Sequence, residues 1–257
     1  MHDPVVATYD AAADVYDIVT AGYDHTRWLG EIERLARSHG LTGCTVLDIG
    51  CGTGSSFLPL LRKGYEVVGC DISARMLERA AQRAPEVRLE LADMRRLEQL
   101  GRFDLVLCLD DTLNYVLDPD ELSGSLAGIA RNLDSSGIAV WDVNTSAMYR
   151  TAFAESWLVS PLDPFVVWEG RTDRAFESGG LAELTLHSFA SDEGDGWRRT
   201  VSHHVQRHWP EDAITEAARS AGLEIVAVHG QHTGARLDSS LDDDRHTKAL
   251  YLARLRG

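Results

Sequence analysis

The residues of this sequence best suited to chemistry are three closely spaced glycines and three acids that fall near the ends of apolar runs. Val46-Leu-Asp-Ile-Gly-Cys-Gly-Thr-Gly54 runs from an apolar stretch into a glycine loop. Glycine takes up the positive-φ turns that let a backbone approach a ligand closely. A loop that cradles a pyrophosphate needs GxGxxG opening a helix. Here Gly50, Gly52 and Gly54 give GxGxG, with Ser55 where the third dinucleotide glycine would stand. Asp48, at the end of the apolar run, repels a pyrophosphate and suits a ligand with a cationic head.

S-adenosylmethionine meets that description, with an ammonium, a sulfonium and no phosphate. Asp71 ends a second apolar run, where a carboxylate accepts hydrogen bonds from both ribose hydroxyls. Nicotinamide sites use such an acid too, so Asp71 indicates a ribose without choosing between the two cofactors. Asp93-Met94 follows a third run, where a carboxylate can take an adenine amino group and a thioether can pack on the ring.

These residues need a scaffold, and the surrounding pattern supplies one. Thr45 to Ile49, Tyr65 to Cys70, Val87 to Leu91, Phe103 to Leu109 and Ile138 to Val143 read as strands. Ser56 to Lys63, Ser73 to Arg83 and Asp118 to Leu133 read as helices between them, with Ser73 as an N-cap. Such alternation predicts an α/β fold with a doubly wound parallel sheet and ligands at the strands' carboxyl ends. The pattern changes over residues 146–209. Phe165 to Glu169, Leu181 to Phe189 and Trp197 to Trp209 look extended, and Gly179-Gly180 and Asp195-Gly196 suit hairpin turns. Helix Glu211 to Ser220, strand Leu223 to Val228, a polar loop over 231–245 and strand Thr247 to Arg254 complete the chain. The expected organisation is a cofactor-binding core with an N-terminal lid over 1–145, an antiparallel insertion on the substrate side over 146–209, and completion of the core over 210–257. Tyr9 and Tyr16, seven apart, would share one helical face that Tyr23 extends.

Composition narrows the partners. The 257 residues carry a formal charge of −15, which disfavours nucleic acid and anionic membranes. No apolar run reaches the roughly 18 residues of a spanning helix. Residues 1–17 hold four aspartates and no Lys or Arg, the opposite of a signal peptide's start, so a cytoplasmic location is expected. Cys44, Cys51, Cys70 and Cys108 form no CxxC pair and read as buried free thiols. Lys63 and Lys248 are the only lysines, and the preference for arginine reads as the codon bias of a GC-rich genome. His203, His204 and His208 lie on one predicted strand. Without a cysteine nearby, and with one strand rarely supplying three ligands, no metal is expected there.

Through Val46 to Gly54, Gly69-Cys-Asp-Ile-Ser73 and Ala92-Asp-Met94, the chain resembles the class I S-adenosylmethionine-dependent methyltransferases. More narrowly it is similar to the YqeM-like bacterial branch, through Tyr16-Asp17, Tyr23-Asp24, Trp28, Asp110-Asp-Thr-Leu-Asn-Tyr115, Trp141-Asp-Val-Asn-Thr145, His204-Val-Gln-Arg207 and Trp209. Its architecture resembles the sugar N-methyltransferases of antibiotic pathways. It departs from the branch at Trp141, usually Phe or Leu, and at Ser202, usually an acid. The resemblance implies a seven-stranded Rossmann-like sheet with an inserted antiparallel sheet, and S-adenosylmethionine as cofactor. It implies that Cys51, Ile72, Met76 and Leu109 join the acids and glycines around the cofactor, with Tyr16 and Trp28 covering its methionine end.

Methyl transfer is an in-line attack that asks mainly for alignment and exclusion of water. A general base is needed only if the acceptor must lose a proton. Asp110, Asn114 and Tyr115, after the fourth strand, are the expected catalytic groups beside His204, which is expected to point into the acceptor pocket. The expected reaction is methylation of N or O on a small molecule, such as a natural product or sugar. A nucleic-acid or protein methyltransferase and a non-catalytic S-adenosylmethionine-binding protein stay open. The GxGxG spacing opposes a nicotinamide dehydrogenase. Neither the acceptor nor the oligomeric state is legible.

Overall fold

A computed structural model describes residues 3–192 and 196–257. The central sheet contains β1 (Thr45–Ile49), β2 (Glu66–Asp71), β3 (Arg88–Leu91), β4 (Phe103–Cys108) and β5 (Leu133–Asn144). A second sheet holds β6 (Ser156–Ser160), β7 (Phe165–Gly170), β8 (Leu181–Ser191) and β9 (Trp197–Arg207). β10 (Leu223–His232), β11 (Arg236–Asp238) and β12 (Lys248–Leu255) return to the first. The helices are α1 (Pro4–Ala12), α2 (Tyr16–Val19), α3 (His25–Ser38), α4 (Leu58–Arg62), α5 (Ala74–Arg83), α6 (Pro119–Asn132), α7 (Ser146–Thr151) and α8 (Glu211–Ser220).

The order across the first sheet is β11-β10-β12-β5-β4-β1-β2-β3. β3, β2, β1, β4 and β5 run parallel, and β12, β10 and β11 add antiparallel pairings. Seven long strands are joined by a short eighth, β11, in a stretch expected to be loop. β4 shows why its sequence is apolar from Leu105 to Cys108. Val106 and Cys108 enter the core beneath α6 and α8, whereas Leu105 and Leu107 enter the core beneath α3, α4 and α5. A strand covered on both faces has no polar side to show. Helices on both faces make the sheet doubly wound.

Ser73 caps α5 through Met76 N–H at 3.2 Å, and Asp118 caps α6 through Asp120 N–H at 2.8 Å. These caps bring the chain into each helix at the carboxyl end of a strand. The second sheet has order β6-β7-β8-β9 and is wholly antiparallel. It is bound to the carboxyl edge of the first sheet. Asn114 Nδ2, in the turn after β4, donates to Arg207 O at 2.8 Å, and Asn144 Nδ2, ending β5, donates to Gln206 Oε1 at 2.9 Å.

Some expectations need correction. Residues 146–151, which open the segment expected to be an antiparallel insertion, form α7, with Tyr149 turned inward onto the small core with Phe153 and Phe176. Tyr9 and Tyr16 lie on two separate helices, not on one face of a single helix. Cys44 is exposed, although the other three thiols are buried. Gly179 takes φ +81° in its turn, as expected of a hairpin glycine. Asp195, of the other proposed hairpin pair, lies outside the described residues. Among those described, no helix is long and apolar enough to cross a membrane.

Candidate functional site

Two compartments open along the carboxyl edge of β1, β2 and β4, and Gly50 and Tyr16 border both. In the first, Gly50 and Gly52 form the floor, Asp71 and Ile72 leave β2, and Asp93, Met94 and Arg95 follow β3. Val5, Tyr9 and Tyr16 cover it from the N-terminal helices, and Tyr115 closes one side. The second holds Asp48, Cys51, Thr53, Ser55, Ser56, His25, Leu109 and Asp110.

The glycine loop adopts φ +71° at Gly50 and +54° at Gly52. Gly52 N–H turns back to donate to Asp71 Oδ2 at 2.9 Å, and Ser73 N–H donates to Oδ1 at 2.8 Å. Burial pushes the Asp71 carboxyl above its ordinary pKa, and these N–H groups pull it back. Each oxygen keeps a lone pair for a ligand hydroxyl. Gly54 takes φ +86° and leads into Phe57, whose Cζ would lie 2.6 Å from an added Cβ; it shapes the loop without lining either compartment.

Asp93 is less free than expected. Arg95 grips both of its oxygens, with Nε 2.8 Å from Oδ1 and Nη2 2.7 Å from Oδ2, and also reaches Asp3, the N-cap of α1. Arg95 thus ties the N-terminal cover to the far end of the first compartment. An adenine amino group would share Asp93 with that guanidinium.

In the second compartment Asp48 is buried and accepts from Ser56 Oγ. Burial lifts its carboxyl to about 7, against the Ser56 hydrogen bond, and Asp110 and Asp71 repel it further. An incoming cation would restore its charge. Asp110 Oδ2 lies 3.3 Å from His25 Nε2. Burial raises the Asp110 carboxyl, but the His25 hydrogen bond and the Lys248 charge outweigh it, leaving the carboxyl below its ordinary value.

The turn after β4 meets the second sheet through Tyr115. Its hydroxyl lies 2.7 Å from His204 Nδ1, while Ser202 Oγ lies 3.1 Å from His204 Nε2. The imidazole is buried, which depresses its pKa to about 4, with His203 contributing. Both ring nitrogens are engaged, and His204 lines neither compartment. Strand alternation places it inward, but Tyr115 stands in front of it. Asn114 likewise lines neither compartment. Fully buried, it spends its amide on Arg207 O and on Asn144 N–H at 2.9 Å, stapling the two sheets.

Trp28 and Met76 were expected at the cofactor and border neither compartment. The buried stripe of α3 (Trp28, Leu29, Ile32, Leu35 and Ala36) carries Trp28 into the core, edge-on to Tyr23. Met76 and Ala80, four apart on α5, face inward together. Tyr9 lies 6.1 Å from Tyr16 and 5.1 Å from Tyr115 between ring centroids, so the tyrosines gather through the break between α1 and α2.

Sequence reasoning missed His25, Arg95, Asp142 and Lys248. The carboxylate of Asp142, inside β5, accepts from the N–H groups of Asp110 at 3.2 Å and Asp111 at 2.6 Å. Lys248 Nζ reaches Asp111 at 2.8 Å and Asp142 at 3.4 Å. One signal was available, the scarcity of lysine. Histidines do converge elsewhere, where His232 and His246 flank Asp238 Oδ2 at 2.9 and 3.1 Å. His246 Nδ1 accepts from Asp242 N–H at 2.9 Å, which leaves Nε2 as a donor to Asp238, a hydrogen-bonded triad.

The first compartment suits an adenosine and the second a zwitterionic chain, and the two meet between Gly50 and Tyr16. Comparison with known proteins gives the family. Residues 46–137 match the family model described as a methyltransferase domain. The cypemycin N-terminal methyltransferase of Streptomyces sp is 31% identical over 241 residues, covering 91% of this chain and 93% of its own. The dTDP-3-amino-3,4,6-trideoxy-alpha-D-glucopyranose N,N-dimethyltransferase of Streptomyces venezuelae is 26% identical, over 88% of this chain and 95% of its own. An S-adenosylmethionine-dependent methyltransferase of Clostridium acetobutylicum shares the fold with a TM-score of 0.81 at 24% identity, over 97% of this chain and 99% of its own.

Proposed function

The chain belongs to the S-adenosylmethionine-dependent methyltransferases, and we propose that its acceptor is an amine nitrogen on a small molecule. When bound, S-adenosylmethionine supplies a methyl group already activated by its sulfonium. The observation that carries the choice of nitrogen is the engagement of His204 by Tyr115 and Ser202. A hydroxyl acceptor needs help to lose its proton, whereas a neutral amine attacks through its own lone pair. With both His204 nitrogens engaged, no imidazole is offered to the acceptor as a base, and alignment carries the reaction.

In this reading Asp71 takes the ribose, Asp93 and Met94 the adenine, and Asp48 and Asp110 the amino-acid end. Gly50, Cys51, Gly52, Ile72 and Leu109 shape the walls, and Gly54 sets the loop. Tyr16 borders both compartments and so stands over the sulfonium, where an aromatic face stabilises a cation. Tyr9 and Tyr115 continue that aromatic wall toward the acceptor. The names of the two relatives agree in chemistry, one acting on an amino sugar nucleotide and the other at an N-terminus.

The test is turnover of S-adenosylmethionine against an amino sugar nucleotide, its hydroxyl counterpart and a peptide with a free α-amine, with products read by mass spectrometry. Methylation confined to amine acceptors supports the reading. Methylation of the hydroxyl counterpart at a similar rate refutes it, and turnover of the peptide alone moves the acceptor class to a peptide N-terminus.

A further inference from the structure

We propose that Lys248 and Asp142 are positioning residues whose ion pair divides two adjacent carboxylates, sending Asp110 toward the amino-acid end of the cofactor and Asp111 to Gln206 on the second sheet. The proposal rests on the assignment of the second compartment to that amino-acid end.

Asp110 and Asp111 both adopt left-handed backbone, at φ +56° and +54°. Such a conformation is uncommon for a residue with a Cβ, and two in succession need surroundings that hold them. Asp142 does so by accepting from both N–H groups. The result is a reversal within two residues. Asp110 borders the second compartment beside His25, while Asp111 Oδ2 accepts from Gln206 Nε2 on β9 at 2.6 Å.

Three carboxylates this close would repel one another, and Lys248 supplies the charge that joins them. Its Nζ contacts Asp111 and Asp142 and lies 3.9 Å from Asp110. The Tyr23 ring, centred 6.0 Å from Nζ, faces it from the other side. Both members of the pair stand on neighbouring strands, since Lys248 pairs with Asn144 and Leu250 with Asp142 across β12 and β5. Rigid strands make the clamp precise in a way that a loop would not. A compact ammonium with three donors suits a point between three acids, whereas a planar guanidinium does not. In a chain that uses arginine at nearly every basic position, lysine stands at this one.

The test compares calorimetric affinities for S-adenosylhomocysteine and 5′-methylthioadenosine, which lacks the amino-acid end. Wild type, Lys248→Met, Asp142→Asn and Asp110→Asn are measured, with thermal unfolding as a check on folding. Lys248→Met and Asp142→Asn should each weaken S-adenosylhomocysteine by about tenfold while leaving 5′-methylthioadenosine within about twofold, as Asp110→Asn does directly. Because the pair acts as a unit, the double variant should lose less than the sum of the two. If both ligands weaken alike in folded variants, Lys248 and Asp142 are merely structural and the proposal falls. It falls equally if neither ligand weakens. Should Lys248→Met fail to fold, the isosteric Asp142→Asn decides by the same criterion. Should the split appear in Asp110→Asn alone, the compartment assignment survives and the positioning role does not. If wild type binds the two ligands equally, the assignment itself fails and takes the proposal with it.

Discussion

The hydroxyl of Tyr115 and Nδ1 of His204 lie 2.7 Å apart, joining the turn after β4 to β9, an edge strand of the second sheet. In the proposed reading His204 acts on the site through Tyr115. His204→Ala should lower kcat by about tenfold, short of the roughly 10²–10⁴ lost with a general base. It should also cost about 1–3 kcal/mol of stability by leaving Ser202 and Tyr115 hydroxyls unpaired, measured by urea unfolding. A loss of the larger size, with S-adenosylhomocysteine affinity intact, would return His204 to the role of base.

Asp71 offers a second check. Asp71→Ala should weaken S-adenosylhomocysteine by about 1.5–3 kcal/mol in calorimetry, the size of a charge-assisted hydrogen bond. Unchanged affinity would remove the ribose from this residue.

Asp48 predicts a pH dependence. Its carboxyl is raised to about 7 by burial, above an unfolded value near 4. The protonated form is thus favoured in the ligand-free fold, and this group's contribution to stability is fully present below about pH 4 and lost as pH rises through about 7. Binding of a cationic ligand runs the other way, because it requires the carboxylate. Affinity for S-adenosylhomocysteine should rise with pH, approaching tenfold per unit well below pH 7 and flattening above it. Asp48→Asn should lose that slope, and a slope that persists in the variant would assign it to another group.

Gly50 couples the glycine loop to the turn after β4. At φ +71°, a Cβ there would lie 2.5 Å from Thr112 Cγ2. Gly50→Ala should cost about 1–2 kcal/mol from the left-handed backbone alone, with the collision added. Thr112→Ser in the same chain should recover the part of the collision due to Cγ2, with Oγ1 still 2.9 Å away, which a double-mutant cycle by thermal unfolding would resolve. Full additivity of the two substitutions would show that the neighbours do not meet.

The sheet, the glycine loop and the cofactor class were all legible in the order of the residues. Those signals are local: apolar runs of strand length, a turn that only glycine fits, and acids at fixed offsets from strand ends. It also carried the extended character of the second sheet, because hairpin punctuation is written between neighbouring residues. The direction in which individual side chains face was not legible there, because packing sets it. Trp28 has the chemistry to cover a ligand, yet the periodicity of α3 takes it into the core. His204 lies on the inner face of its strand, but a tyrosine 89 positions earlier in the chain fills the space in front of it. Asp142 and Lys248 sit 106 positions apart and read singly as an acid in an apolar strand and a stray lysine. Their meaning arises from β12 pairing antiparallel with β5, which brings a buried charge of each sign to one point. Pairing between distant strands is set by the packing of the whole sheet, so no local pattern announces it.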